Sequence, residues 1–94
     1  MLIVSGTIHV RPGARHEFLA ASLEAVVLAR RSTGCRDFVV SADPLEPDRV
    51  NVYEAWDSEE ALLKFRGEGP GEDLSSMIVR ADVARHVVAS SGPP

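Results

Sequence analysis

The order of strand-like and helix-like segments is the feature that most constrains how this chain folds. Alternating β-branched residues predict four strands, over Leu2–Val10, Cys35–Ser41, Arg49–Trp56 and Ala81–Ala89. Apolar residues at helical spacing predict three helical segments between them, over Ala14–Arg31, Ser58–Arg66 and Glu72–Val79. The resulting order, β-α-β-β-α-β, is typical of an α+β protein with a ferredoxin-like fold.

A ferredoxin-like order predicts a four-stranded antiparallel sheet with the helices on one face. Right-handed crossovers put the first and third strands side by side in the middle of that sheet. The length of 94 residues fits a single domain, which we expect over residues 1–90. Residues 91–94 are expected to form a flexible C-terminal tail.

The sheet face without helices predicts how the chain assembles. That face would carry Ile3 and Tyr53, together with either Val83 and Val87 or Val88. Because an uncovered apolar sheet face is buried when two copies pack face to face, we expect a homodimer.

Charge and cysteine content exclude several classes of function. Ten Lys and Arg residues against fourteen Asp and Glu residues give a net charge of −4, which argues against a nucleic-acid binder. The single cysteine, Cys35, excludes an intramolecular disulfide and a cysteine-built metal site, and we expect it to be buried and inert. No apolar stretch approaches the ~20 residues that cross a bilayer, and no signal peptide is recognisable. We therefore expect a cytoplasmic protein that binds neither membranes nor nucleic acid.

The third strand carries the two strongest candidates for chemistry, Glu54 and Trp56, which lie two residues apart and so share a face. An indole wall suits a flat aromatic ligand, although a tryptophan is as readily an ordinary core residue. If this face points at the helices, burial raises the pKa of Glu54 and makes it a proton acceptor for a phenol. The alternative is a carboxylate at the strand end paired with an arginine.

The histidines and a glycine-rich segment are weaker candidates. His86 on the fourth strand is a possible proton shuttle beside a cavity, or a hydrogen-bonded structural residue. His9 lies on the neighbouring first strand, but no third ligand completes a metal site with the two histidines. Gly67–Gly71 does not follow a strand and has acidic neighbours, so we interpret it as a hinge or a lid and not as a phosphate cradle.

Three motifs make the chain resemble the antibiotic biosynthesis monooxygenase (ABM) family over about Ile3 to Val88. They are Gly6-x-Ile8-x-Val10-x-Pro12-Gly13, Thr33-Gly34-Cys35, and the stretch Val52-Tyr53-Glu54-Ala55-Trp56-Asp57-Ser58-Glu59-Glu60-Ala61-Leu62. The resemblance implies a dimeric α+β barrel with a pocket between sheet and helices in each subunit. It also implies one of several activities: cofactor-free oxygenation of aromatic polyketides to quinones, haem degradation or quinol oxidation. Other members have isomerase-like roles or no known activity.

The family's site residues carry over only in part. Trp56 matches the pocket tryptophan, but Val52, Leu62 and Phe65 stand where oxygenase members carry Asn, Tyr and His. Haem-degrading members need an Asn where this chain has Gly6, and a His on the last helical segment, which has none. The resemblance therefore disfavours haem chemistry and implies a site without a cofactor or a metal.

Two functions follow as hypotheses. The first is a cofactor-independent monooxygenase or oxidase for a small phenolic, polyketide-like or quinol-like substrate, with Glu54 or His86 as the base. Its pocket is expected to be lined by Val4, Ile8, Val52, Trp56, Leu62 and Phe65. The alternative is a non-oxygenase module on the same scaffold that binds or isomerises a small hydrophobic metabolite. A purely structural dimer is the third possibility.

Overall fold

The architecture follows the predicted order of elements. The computed structural model describes residues 1–68 and 74–94. Its elements are β1 Leu2–Val10, α1 Arg15–Arg31, β2 Cys35–Ala42, β3 Arg49–Trp56, α2 Glu59–Glu68, a short 3₁₀ turn Ser75–Met77, and β4 Ile78–Val87.

The four strands form one antiparallel sheet in the order β2-β3-β1-β4. This order confirms the predicted ferredoxin-like fold with β1 and β3 in the middle. Helix α1 packs mainly against β2, and α2 packs against β3. The helix layer also buries Leu2, Val4 and Val10 of β1, whereas β4 is exposed along nearly its whole length.

The end of the predicted third helical segment is wrong. The helical turn is confined to Ser75–Met77, and Ile78 already begins β4, where it pairs with Val10. The physical reason is that Ile78 and Val79 are β-branched and fit a strand better than a helix. The start of the segment, at Glu72, lies outside the described residues. Strand β4 also ends earlier than expected, at Val87.

Two apolar clusters fill the space between sheet and helices. One surrounds Trp56 and contains Leu2, Val4, Ala29, Phe38 and Leu62. The other contains Val10, Phe18, Val50 and Met77. The alternate residues of β1 and β3 that enter these clusters define the helix side of the sheet, and the residues between them define its outer side.

The register of β4 decides which of its side chains face the helices. Val83 pairs with Gly6, and Val87 pairs with Leu2, so both valines lie on the helix side. The predicted alternative that put Val83 and Val87 on the outer face is wrong. Both remain exposed, Val83 by 39% and Val87 by 80%, because the helices do not extend over β4.

Gly6 lets β1 approach β4 closely. Its φ is +153°, and a Cβ atom at this position would collide with the carbonyl oxygen of Asp82 and lie 2.7 Å from the Cα atom of Val83. A side chain at position 6 therefore requires the paired backbone to shift.

The loop between β2 and β3 is held by one carboxylate. Asp43 accepts hydrogen bonds from the Asn51 side chain at 2.9 Å and from the backbone N–H groups of Leu45 and Glu46 at 3.0 and 2.9 Å. These hydrogen bonds, led by that of Asn51, lower the pKa of Asp43 to about 2. Arg15 on α1 ties the same loop to the helix by donating to the carbonyl oxygen of Glu46 at 2.9 Å.

Candidate active site

Glu54 and Trp56 form a hydrogen-bonded pair on the helix side of β3. The indole Nε1–H of Trp56 donates to Oε1 of Glu54 at 2.9 Å. The pairing partners of these residues on β1 are Val4 and Leu2, which are both buried in the cluster around Trp56. The strand thus presents one carboxylate, oriented by an indole, among apolar side chains.

Burial is the main influence on the acidity of Glu54. Glu54 is half-buried, and desolvation raises the pKa of its carboxyl group above the ordinary value. The hydrogen bond from Trp56 and the positive charge of Arg66 act in the opposite direction, more weakly. The hydrogen-bond partner of the carboxylate is the indole, and not an arginine as the alternative interpretation required. Glu54 is therefore a stronger base than an exposed glutamate carboxylate.

Side chains of the protein occupy the space around the indole. Trp56 and Leu62 have no exposed surface. The Phe65 ring packs on the indole with a centroid distance of 5.3 Å, and Phe38 packs edge-on against Phe65 at 5.7 Å. The open hollow that the sequence led us to expect beside Trp56 is filled in this structure. A ligand reaches the indole only if the Phe65 ring moves, whereas the half-buried Glu54 keeps some exposed surface.

The expected lining residues divide between the two apolar clusters. Val4, Leu62 and Phe65 pack around Trp56. Ile8 and Val52 pack against the second cluster instead. Gly6 on β1 pairs with Val52 on β3 and with Val83 on β4. The three residues therefore form a row across the helix side of the sheet. The adjacent row contains Glu54.

His86 lies away from this pair, which corrects its placement as an alternative base at the same site. It pairs with Ile3 on the outer side of the sheet, opposite to Glu54 and Trp56. The side of β4 depends on its pairing with β1, and the sequence of β4 alone does not reveal it. The side chain that shares the helix side is that of Arg85, which the sequence analysis missed. Arg85 pairs with Val4, whose other partner is Glu54, and it donates to Glu59 on α2 at 3.4 Å.

The remaining candidates do not join the pair. His9 lies at the other end of β1, with Nε2 3.9 Å from Oε1 of Glu46. Residues 1–68 and 74–94 contain no group of three or more side chains suited to hold a metal ion. Cys35 is partly buried, and desolvation raises the pKa of its thiol, which keeps it protonated. Gly67 belongs to α2, but most of the proposed lid at Gly67–Gly71 lies outside the described residues.

The sequence model of one protein family, antibiotic biosynthesis monooxygenase, matches residues 1–70. The chain belongs to the ABM family. No curated protein sequence matches this ABM domain significantly. None of its helices, within the part of the chain that the structure describes, is long and apolar enough to cross a bilayer.

Solved structures with the same fold come from several organisms. A candidate antibiotic biosynthesis monooxygenase from Deinococcus radiodurans is 18% identical to this ABM domain, with a TM-score of 0.85 over 100% of this chain and 98% of that protein. One from Chloroflexus aurantiacus is 25% identical, with a TM-score of 0.74 over 98% and 96%. A haem degrader from Mycobacterium tuberculosis, solved with two haems in its active site, is 19% identical, with a TM-score of 0.68 over 99% and 100%. At these identities, the first and third similarities establish the fold alone.

Proposed function

We propose that this ABM domain is a cofactor-independent monooxygenase or oxidase that acts on a small phenolic, polyketide-like or quinol-like substrate. The observation that carries the proposal is the half-buried Glu54 carboxyl group with a raised pKa, oriented by the Trp56 indole. Family membership supports the reaction class. Gly6, Val52 and Val83 form an apolar surface beside Glu54, here called the Glu54 shelf, and the exposure of Val83 (39%) supports contact with a flat ring.

In the proposed reaction, Glu54 takes the proton from the substrate hydroxyl group. The resulting anion is electron-rich and reduces dioxygen directly. For an anthrone-type methylene, two hydrogens leave the carbon, one oxygen atom becomes the new carbonyl, and the other leaves as water. Few catalytic groups are needed because the substrate supplies the electrons, and the protein contributes desolvation, orientation and the base.

Haem does not fit the helix side of this sheet, so no step is derived through it. All three histidines lie in the described residues, and none stands beside Trp56: His9 and His86 are on the outer side of the sheet, and His16 is exposed on α1. A side chain at Gly6, where haem-degrading members carry Asn, collides with the backbone of β4. The described residues thus offer no histidine beside Trp56, and the backbone at Gly6 leaves no room for the Asn side chain.

A second function is favoured by one observation. Leu62 is completely buried and Phe65 packs on the indole, so residues at two positions that are polar in oxygenase members act here as core. A site with few polar groups is suited to bind or isomerise a hydrophobic metabolite without oxygen chemistry. The two functions differ in their need for dioxygen.

Oxygen consumption distinguishes these functions. We would mix metal-free protein with anthrone-type and naphthol-type substrates under air and follow oxygen uptake and product. Glu54→Gln is expected to lower the rate by about 10²-fold, the lower range for loss of a general base, while the exposed Glu24→Gln serves as the matched control. Substrate binding without oxygen uptake would favour the second function. Equal rates for Glu54→Gln and wild type would exclude Glu54 as the base.

Assembly and location complete the proposal. We propose a homodimer formed through the outer side of the sheet, where Tyr53 is 38% exposed and Ile3 is half-buried. The expected ligand is small and hydrophobic or aromatic, and the expected location is the cytoplasm.

A further inference from the structure

The two helices enclose a groove on the side of α2 away from the Glu54 shelf. A hollow of about 330 Å³ lies between the last turn of α1 and the middle of α2, and Arg31, Lys64, Thr33 and Phe65 are among its lining residues. A second hollow of about 350 Å³ adjoins it and shares Thr33, Ala61 and Lys64. A volume of this size lies at the lower end of the range for small-molecule sites. Neither Glu54 nor Trp56 lines the groove.

The first hollow carries two cationic side chains, Arg31 and Lys64. Among the side chains that the structure describes, in residues 1–67 and 74–94, no ion pair involves Arg31 or Lys64. Two nearby arginines, in contrast, have partners within the fold. Arg30 donates to the carbonyl oxygen of Phe38 at 2.8 Å, and Arg36 pairs with Asp57 at 2.6 Å. The positive charge in the hollow is therefore available to a ligand.

The distribution of charge along the groove gives it a direction. The Arg31 end is basic, whereas the adjoining hollow contains the carboxylates of Asp57 and Glu60. Arg36 already neutralises Asp57. An anion is thus attracted to the Arg31–Lys64 end and repelled from the other end by Glu60. The hydroxyl groups of Ser32 and Thr33 provide further polar atoms at the basic end.

The rest of the first hollow is apolar. Leu28, Ala61 and the half-buried Phe65 ring contribute to its lining. An aromatic ring stacks favourably on another aromatic ring, and an arginine guanidinium binds a carboxylate through two parallel hydrogen bonds. We propose that this groove is a binding site for a small aromatic carboxylate, whose carboxylate contacts Arg31 and Lys64 and whose ring lies against Phe65.

The site is connected to the tryptophan through Phe65. The same ring that lines the groove packs on the Trp56 indole at 5.3 Å. Trp56 is the single tryptophan of the chain, so its emission reports on any ligand that shifts Phe65. Binding in the groove and turnover at Glu54 are separate events, and a binding measurement tests the first without relying on the second.

The test uses phenylacetate as the probe and phenylacetamide as its uncharged counterpart, with calorimetry and Trp56 emission as the two readouts. Phenylacetate is expected to bind with a dissociation constant on the order of 1 mM, and phenylacetamide and acetate at least about tenfold more weakly. Arg31→Ala and Lys64→Ala are each expected to weaken phenylacetate binding about three- to tenfold, and added salt to weaken it further. The exposed Arg11→Ala is the matched control and should bind as wild type does.

Backbone amide chemical shifts locate the bound probe. Shifts centred on Thr33, Gly34 and Ala61 support the groove, whereas shifts centred on Gly6 and Val52 would place the probe on the Glu54 shelf and overturn the proposal. Equal binding of phenylacetate and phenylacetamide, or unchanged binding by both Arg31→Ala and Lys64→Ala, would also overturn it. Binding of acetate as tight as that of phenylacetate would reduce the site to a general anion contact, which contradicts the proposed ligand class.

Discussion

The Glu54 carboxyl group is half-buried, and its raised pKa makes the stability of the fold depend on pH. The folded state holds the proton of Glu54 more tightly than the unfolded chain does. Its contribution is therefore fully present below the ordinary glutamate pKa of ~4.3 and is lost as the pH rises through the raised folded value. At neutral pH, the ionised Glu54 is a cost to folding.

Glu54→Gln tests this cost directly. We expect the variant to have a higher free energy of unfolding than wild type at pH 7, and the difference to vanish below about pH 4. Urea unfolding followed over this pH range measures the difference, with the exposed Glu24→Gln as control. A variant that is less stable than wild type at every pH would contradict the assignment of Glu54 as an unfavourable buried charge.

Trp56→Phe separates the orientation of Glu54 from its burial. The substitution removes the indole N–H that favours the ionised carboxylate, so the pKa of Glu54 should rise further. If ionised Glu54 is the base, the rising limb of the rate profile moves to higher pH. Oxygen uptake measured as a function of pH detects this movement. A uniform loss of rate with an unmoved profile would indicate that the indole only contributes packing.

Asp43 behaves in the opposite sense to Glu54. Its pKa of about 2 is below the unfolded value of ~3.9, so its contribution to stability is present above pH 4 and is lost as the pH falls towards 2. Asp43→Asn should lower stability at neutral pH and flatten the acid limb of the stability curve. Acid unfolding compared between wild type and Asp43→Asn measures this. The exposed Glu24→Gln on α1 is the control.

The sequence predicted part of the candidate site because part of it is local. Glu54 and Trp56 share a face through the two-residue period of a strand, which requires no knowledge of the rest of the molecule. The side on which His86 lies depends on the register between β4 and β1. The filling of the space beside Trp56 depends on where α2 places Phe65. Neither the side on which His86 lies nor the filling of the space beside Trp56 can be predicted from a local sequence pattern. The sequence analysis therefore missed both.

Among the elements, the pairing of β1 with β4 depends on one glycine. Gly6→Ala should destabilise the fold by roughly 1–3 kcal/mol or more, because φ is positive and the new methyl group collides with the Asp82 carbonyl. The same substitution at Gly67 in α2 meets nothing within 4 Å and should stabilise by about 0.5–1 kcal/mol. Chemical unfolding of the two variants provides the comparison. A neutral Gly6→Ala would mean that the strands separate there at little cost.

The sequence predicts whether a segment is a helix or a strand where its apolar pattern is long. It predicts where that segment ends where turn-forming or capping residues flank it. Arg49–Trp56 matches its predicted strand at both ends, and α1 differs by one residue at its start. The failure at Ile78 arises because a short apolar run after Leu74 is compatible with either a helix or a strand, and pairing with Val10 decides in favour of the strand. Tertiary pairing therefore overrode a weak local signal.

In the whole molecule, the unequal cover of the sheet links fold to function. Because the helices do not extend over β4, its helix side stays exposed, and a separate groove opens between α1 and α2. The Phe65 ring stands between the groove and the indole. A ligand in the groove that displaces the Phe65 ring would therefore also shift the Trp56 indole, which donates its hydrogen bond to Glu54.

None of the helices that the structure describes packs on the outer side of the sheet, and the exposed Tyr53 on that side allows the proposed homodimer to be tested. Standard interfaces bury roughly 800 Å² per partner, and a charged residue in the buried centre costs several kcal/mol unless it is paired. We expect light scattering to give a dimer mass for wild type and a monomer mass for Tyr53→Asp. Leu45→Asp, which changes a residue that is 89% exposed on the β2–β3 loop, should remain dimeric. A monomeric wild type, or a Tyr53→Asp variant that is still dimeric, would show that copies of this chain do not meet through this face.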